Sequence, residues 1–407
     1  MESPYCLAAG GYRDTIALLS FSPPTGAGTA GHIKTIAESP TPRNTSWIER
    51  SVDKPNTLYS ISEDPRGKVF SLKLVAEGEQ VEMQVTAVRD INGAPAHLHC
   101  LKDGSGIAVV NYLGGSMHLF PFELDGSLSV RSKSPALTFP FPYRERLSPN
   151  PRRQNEPHPH SVMEGRSGEF FVPDLGADTV WIVHRRGEDS LEIAGQLQAP
   201  PGSGPRHAVV SKDLQHLYLL TEMSHTIYVF PIGGSLSEFK ATTPIQPLTD
   251  MAIDVVPPHI PPKYASVMDA AELCLNPNPA VASTTLYASN RYESRLSTVM
   301  AEHGLEADDC PRPHPDSICV VVFTTNIDIG SGGGGKSSPK LEKVIWVETG
   351  CDVARAMSVS RDGKFVAVAG QKRGGVEIYE VEGEHGEKLS LVAKAADLEN
   401  IADLCWL

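Results

Sequence analysis

No apolar run in the 407-residue chain approaches the roughly 20 positions that a membrane-spanning helix requires. The opening Met1-Glu2-Ser3-Pro4 carries no basic stretch, and the run Thr15 to Phe21 is too short for a signal-peptide core, so a cytoplasmic protein is expected. Cysteine is sparse. The seven residues (Cys6, Cys100, Cys274, Cys310, Cys319, Cys351, Cys405) are scattered, odd in number and without a C-x-x-C pair, which reads as free thiols in a reducing compartment. Basic residues are outnumbered 36 to 49, and the formal charge of −13 repels nucleic-acid backbones and anionic membranes, so neither is expected as a partner. An anionic small molecule must then be caught by arginine or histidine gathered in one place. Helical periodicity is nearly absent as well.

What is present is one unit repeated. A short apolar strand, a polar cluster and a second strand rich in Val, Ile, Tyr and Phe recur along the chain. Copies run through Cys6 to Tyr12 with Thr15 to Phe21, Thr57 to Glu63 with Lys68 to Leu74, and Ile107 to Asn111 with Ser116 to Phe120. Others are Glu169 to Asp174 with Thr179 to His184, Leu217 to Glu222 with Thr226 to Phe230, and Phe365 to Gly370 with Gly375 to Tyr379; Leu286 to Arg291 begins one more. This predicts an all-β, seven-bladed β-propeller over residues 1–407, a single domain closed by pairing of its N- and C-terminal segments, with Ile401 to Leu407 as the closing strand. Seven copies give about 58 residues per blade, above the ~40–50 of compact repeats. The excess is assigned to surface-loop insertions near 135–157, 244–279, 292–315 and 330–339.

The first two strands of a blade are antiparallel, so residues just before the first lie beside residues just after the second. That pairs Arg206 with Glu222, His160 with Asp174, His97 with Asn111 and Arg355 with Gln371. Asn290-Arg291, Glu63 or Ser60, and Tyr12 hold the second position in the other copies. Polar residues thus recur where the blades converge on the axis. Strand ends at solvent explain asparagine and glutamine there, but charged groups crowded at a channel mouth need partners.

Several of these segments match a known pattern in order. Pro157-His158-Pro159-His160-Ser161 is followed by Asp174-Leu175-Gly176-Ala177-Asp178, then Gly204-Pro205-Arg206-His207, Thr221-Glu222 and Ser289-Asn290-Arg291; Asn111-Tyr112 and Gly115-Ser116 add to the match. The chain resembles the lactonase-type seven-bladed propellers, which include propeller 6-phosphogluconolactonases and carboxymuconate cyclases. The resemblance implies a catalytic set of His160, Arg206, Glu222 and Arg291, with His97, Asp174, His158 and Arg355 as a second tier of substrate-binding positions. It implies no cofactor and no metal, and a small lactone or polycarboxylate as substrate; a monomer is expected. Two departures stand out. Val353-Ala354-Arg355 lacks the proline that usually precedes the arginine, and a long insertion separates Arg291 from the strand resuming at Asp316-Ser317-Ile318. That insertion is expected to overhang the mouth.

For a lactonase, water attacks the ring carbonyl, a base takes its proton and cations face the developing oxyanion. Glu222 and His160 are the candidates for base and proton donor, and Arg206 and Arg291 for anion and oxyanion. The same parts would serve a carboxymuconate-type cycloisomerase, and a propeller can also be a non-enzymatic interaction platform, although no exposed aromatic face is evident. No G-x-S-x-G serine elbow occurs. Gly330 to Ser337 has the spelling of a phosphate-binding P-loop, but Pro339 and an expected strand at Val344 to Val347 follow instead of a helix. His97-x-His99 and His158-x-His160 each offer two imidazoles where a metal site needs three or four ligands. Arg144, Arg146, Arg152 and Arg153 sit in a proline-rich loop that reads as solvated, with attraction of an anion as its second reading.

Overall fold

The computed structural model describes residues 5–26, 28–78, 80–129, 134–166, 168–187, 190–233, 244–265, 267–278, 283–292, 315–328 and 336–407. They form seven four-stranded antiparallel sheets arranged as a seven-bladed β-propeller, and the one helix among the described residues is the single turn Pro262–Ala265. In ring order the innermost strands are Ile401–Trp406, Thr45–Arg50, Pro95–Cys100, Met163–Glu164, Pro205–Val210, Met268–Leu275 and Asp352–Val359. The second strands are the apolar runs seen in the sequence: Tyr5–Gly11, Thr57–Ser62, Gly106–Asn111, Glu169–Asp174, His216–Thr221, Thr284–Tyr292 and Phe365–Arg373. Four of these are buried at every position, because a blade is covered on both faces by its neighbours. The outermost strands alternate instead, as in Gln80–Asn92.

The core is correspondingly divided. Each main apolar cluster lies between two adjacent blades, for example Leu7, Phe21, Phe365, Ile378 and Trp406 between the first and last. The ring closes by antiparallel pairing of Ile401–Trp406 with Tyr5–Gly11, with Leu7 opposite Trp406 and Ala9 opposite Leu404.

The insertions are less uniform than the sequence suggests. Segment 244–279 is no simple surface loop: it holds an outer strand, Ala252–Asp254, the helical turn, and the innermost strand Met268–Leu275, whose first six residues are buried. Segment 135–157 contributes the edge strand Leu137–Thr138. The strand Lys336–Glu348 begins inside 330–339 and directly follows the glycine run, so the segment lacks the helix a P-loop needs. Residues 293–314 and 329–335 lie outside the described residues, and with them the expected overhang of the insertion after Arg291.

Candidate active site

A bulge repeated from blade to blade sets the site. On the innermost strands the pairing register slips by one at Ser46, Ala96, Arg206, Arg355 and Ala402. In the fourth blade the slip lies between Pro159, opposite Asp174, and Met163, opposite Phe171, which includes His160. A β-bulge leaves one residue out of the ladder and re-aims its side chain. Two positions earlier, Asn44, Ala94, Gly204, Val353 and Asn400 have φ between 50° and 67°, the left-handed turn that brings the chain into the bulge. The residue after the second strand is fixed by a hydrogen bond to that turn: Glu222 N donates to Gly204 O (2.8 Å), Glu63 N to Asn44 O (2.9 Å) and Tyr112 N to Ala94 O (2.9 Å).

These two sets of residues enclose a cavity of about 160 Å³. Ala96, His160, Arg206 and Arg355 come from the bulges, and Glu63, Tyr112, Glu222, Arg291 and Gln371 from the ends of second strands. Six of the seven blades contribute, which puts the cavity on the axis. Its tenth lining residue is Arg153, from the proline-rich connection.

His160, Arg206, Glu222, Arg291 and Arg355 are therefore brought together. Arg206, 3% exposed, lies 3.4 Å from Glu222 Oε2 through Nε and donates through Nη1 to His160. Burial draws its guanidinium down to about 10, against the pull of Glu222. Burial, then the charge of Arg206, holds His160 well below the usual histidine range, so it is neutral near pH 7. Burial alone would raise Glu222, but Arg153, Arg206 and Arg291 outweigh it and keep the carboxylate ionised. Arg355 pairs with Glu63 (3.1 Å) over the ring of Tyr12, whose hydroxyl donates to Glu63 (2.9 Å). The missing proline before Arg355 has a physical reason: Ala354 N donates to buried Asp316 Oδ2 (2.8 Å), a bond proline cannot make.

The other second-tier residues lie off the cavity. Asp174 is fully buried and accepts from His158 N (2.7 Å), Ala177 N (3.1 Å) and Trp181 Nε1 (2.9 Å), with burial raising its carboxyl to about 6. The end-of-strand position in that blade is Leu175, whose N donates to His158 O. His158 stacks on Tyr112 (4.3 Å, 15°) and contacts Tyr112 O (3.0 Å), bracing a cavity wall. His97 pairs with Val110 instead of Asn111, because Ala96 is the bulged residue. It faces the channel beneath the cavity, 4.0 Å from Trp47 and 5.6 Å from His207, and His207 in turn meets Glu272 at 3.0 Å. The two histidines of each H-x-H take different partners. His99 pairs with Glu49, and no group of three or more His, Cys, Asp or Glu able to hold a metal occurs among the described residues.

Arg153 is the main residue that sequence reasoning left in solvent. Its Nη2 donates to Glu222 Oε1 at 2.5 Å and its Nη1 lies 3.9 Å from Asp269. Of its basic neighbours, Arg146 sits over the ring of Tyr143 (5.1 Å) and Arg144 and Arg152 are exposed.

The model for the family described as lactonase, 7-bladed beta-propeller, matches residues 7–405. The chain belongs to that family. Among relatives, a probable 6-phosphogluconolactonase of Arthroderma benhamiae is 25% identical over 401 residues, covering 98% of this chain and 87% of its own. A 6-phosphogluconolactonase of Formosa agariphila is 23% identical, covering 88% of this chain and 87% of its own. The solved structure of a Pseudomonas aeruginosa periplasmic gluconolactonase superposes with a TM-score of 0.72 at 22% identity, covering 100% of this chain and 99% of its own. That likeness speaks to the fold.

Proposed function

We propose that this lactonase-family propeller hydrolyses a small anionic lactone, of the 6-phosphogluconolactone type, in the axial cavity. One observation carries the reading: four guanidinium groups outnumber the two carboxylates that line a single cavity with them, beside a neutral imidazole, which suits an anionic ligand. The names of the relatives agree with it.

In this mechanism the arginines hold the substrate anion, since guanidinium pairs phosphate or carboxylate bidentately. Water adds to the lactone carbonyl carbon, and its proton passes to Glu222. The carbonyl electron pair moves onto oxygen, where a guanidinium stabilises it. Collapse breaks the ring C–O bond, and Glu222 returns the proton to the leaving alkoxide. His160 accepts from Arg206 through one nitrogen and offers its other N–H as a hydrogen bond without ionising.

Acid release from 6-phosphogluconolactone tests this. The wild-type protein should exceed the spontaneous rate, and Glu222→Gln, nearly isosteric, should lose on the order of 10²–10⁴ of the acceleration. A folded protein with no acceleration refutes the reading, and turnover of a carboxymuconate in its place would reassign the same residues to lactonising addition.

A further inference from the structure

Arg153 reaches the cavity from outside the blade framework, on a turn that is itself firmly held. Arg153 N and Gln154 N both donate to Asn150 O (3.1 and 2.8 Å). Gln154, fully buried, donates to Leu175 O (2.9 Å) and accepts from Asn150 N (3.2 Å). The backbone is thus pinned, and only the side chain is placed to swing. It is also the most accessible of the three guanidiniums around Glu222: its side chain is 33% exposed, against 3% for that of Arg206, and residue Arg291 is 5% exposed.

Its partner poses a chemical difficulty. Glu222 spends one oxygen on Arg153 at 2.5 Å and the other faces Arg206 at 3.4 Å. A carboxylate clamped between two guanidiniums is a poor acceptor for a proton from water. An anion that drew Arg153 away would remove the nearer clamp. Four guanidiniums lining one cavity suit a phosphomonoester, whose three acceptor oxygens and charge of about −1.5 to −2 near pH 7 can engage several of them at once.

We propose that Arg153 is an anion-operated latch: its guanidinium rests on Glu222 and transfers to the phosphate of an incoming phosphorylated lactone, which frees Glu222 to take the proton from water. The inference builds on the hydrolytic reading above and adds that the insertion between the third and fourth blades selects for the phosphate. Arg153 is a positioning and specificity residue. It touches the part of the substrate remote from the bond that breaks and acts on the chemistry through Glu222. Asp269, 3.9 Å from Nη1, is placed to counter its charge in either position.

Calorimetric titration with inorganic phosphate tests the latch without requiring turnover. Because phosphate and Glu222 compete for Arg153, Glu222→Gln should bind phosphate at least tenfold more tightly than wild type. Arg153→Ala should bind at least tenfold more weakly, and Arg153→Ala with Glu222→Gln should show no gain over Arg153→Ala alone. Arg146→Ala, on the same connection and clear of the cavity, should bind like wild type. Unchanged or weaker binding by Glu222→Gln overturns the proposal. Kinetics supply a second reading. Arg153→Ala should lose tenfold or more in kcat/KM on 6-phosphogluconolactone while keeping or gaining kcat on neutral gluconolactone, and added phosphite should speed neutral-lactone hydrolysis by wild type but not by the variant. Equal losses on both lactones also overturn it. Absence of hydrolysis by a wild-type protein that passes the phosphate titration refutes the hydrolytic reading and leaves the Arg153–Glu222 competition standing.

Discussion

A histidine ring sealed in a protein stays neutral unless a counter-charge is near, and the channel beneath the cavity holds such rings in a row. His97 and His160 sit well below the usual histidine range and His207 below it, with burial the largest cause in each. The consequence for stability has a definite sign. Below its ordinary value of about 6.5 a histidine in the unfolded chain takes a proton that the folded one refuses, so stability is full above that pH and is lost as pH falls below it. Asp174 opposes this, because its carboxyl, raised to about 6, favours the fold as pH falls from 6 towards 4. A difference measurement separates the two. His97→Phe keeps a ring packed against Trp47 and removes one titrating group. Between pH 7.5 and 5.5 the variant should gain roughly 1 kcal/mol relative to wild type in urea unfolding, above a constant offset for the lost contact with Val162 N. A pH-independent difference would mean that His97 takes up its proton in the fold as readily as in the unfolded chain. These histidines also mark what could be read in the chain alone. His160, Arg206, Glu222 and Arg291 announce themselves by residue type at strand ends, whereas the place of His97 depends on whether one residue slips out of register.

That slip belongs to the element scale. Alternation along a strand is legible because covered and uncovered positions differ in hydropathy, and on that basis the sequence places the ends of the second strands within three residues. A bulge leaves no such trace, since the extra residue can be serine, alanine, histidine or arginine. Pairing read without it sets His160 against Asp174, where the structure puts Leu175 at the strand end. Arg153 was hidden for a related reason: a proline-rich connection has no period from which to infer which side chain turns inward. The left-handed turn ahead of the bulge can be tested at Gly204, where φ is 67°. A Cβ there would lie 2.8 Å from Met223 Cε, and the backbone would occupy a region that costs an L-residue about 1–2 kcal/mol. Gly204 O also holds Glu222 N, and Gly204 N donates to Asp178 Oδ1 at 3.0 Å. Gly204→Ala should therefore lower the urea midpoint by an amount equivalent to about 1–3 kcal/mol and should reduce lactone turnover through displacement of Glu222. Full stability with full turnover would show that the turn does not set the Arg206–Glu222 geometry.

Over the whole molecule, the cavity exists only because the ring is closed, since the blades that wall it are held in place by neighbours on both sides. Closure rests on Ile401–Trp406, the innermost strand of the blade that also contains Tyr5–Gly11. Ile401, Leu404 and Trp406 are buried to within 6% exposure; Trp406 packs edge-on against Tyr5 and donates to Ser358 O (3.1 Å) in the last blade. Asp403 accepts from Ile48 N (2.6 Å) in the next blade, with burial, then the charge of Glu272, raising its carboxyl well above the usual range. At about 1.5–3 kcal/mol for each large buried side chain, the strand accounts for roughly 5–9 kcal/mol. That is comparable to the roughly 5–15 kcal/mol by which a domain is stable at all. Deleting Ile401 to Leu407 should therefore abolish the cooperative unfolding transition seen by circular dichroism, and phosphate binding with it. Adding the heptapeptide in trans should restore part of both, because it supplies the missing pairing without altering any cavity residue. A truncated chain that keeps its unfolding midpoint and its phosphate affinity would mean that six blades and an incomplete seventh hold the arginines in place, and that closure matters less to the site than the local turns that aim its side chains.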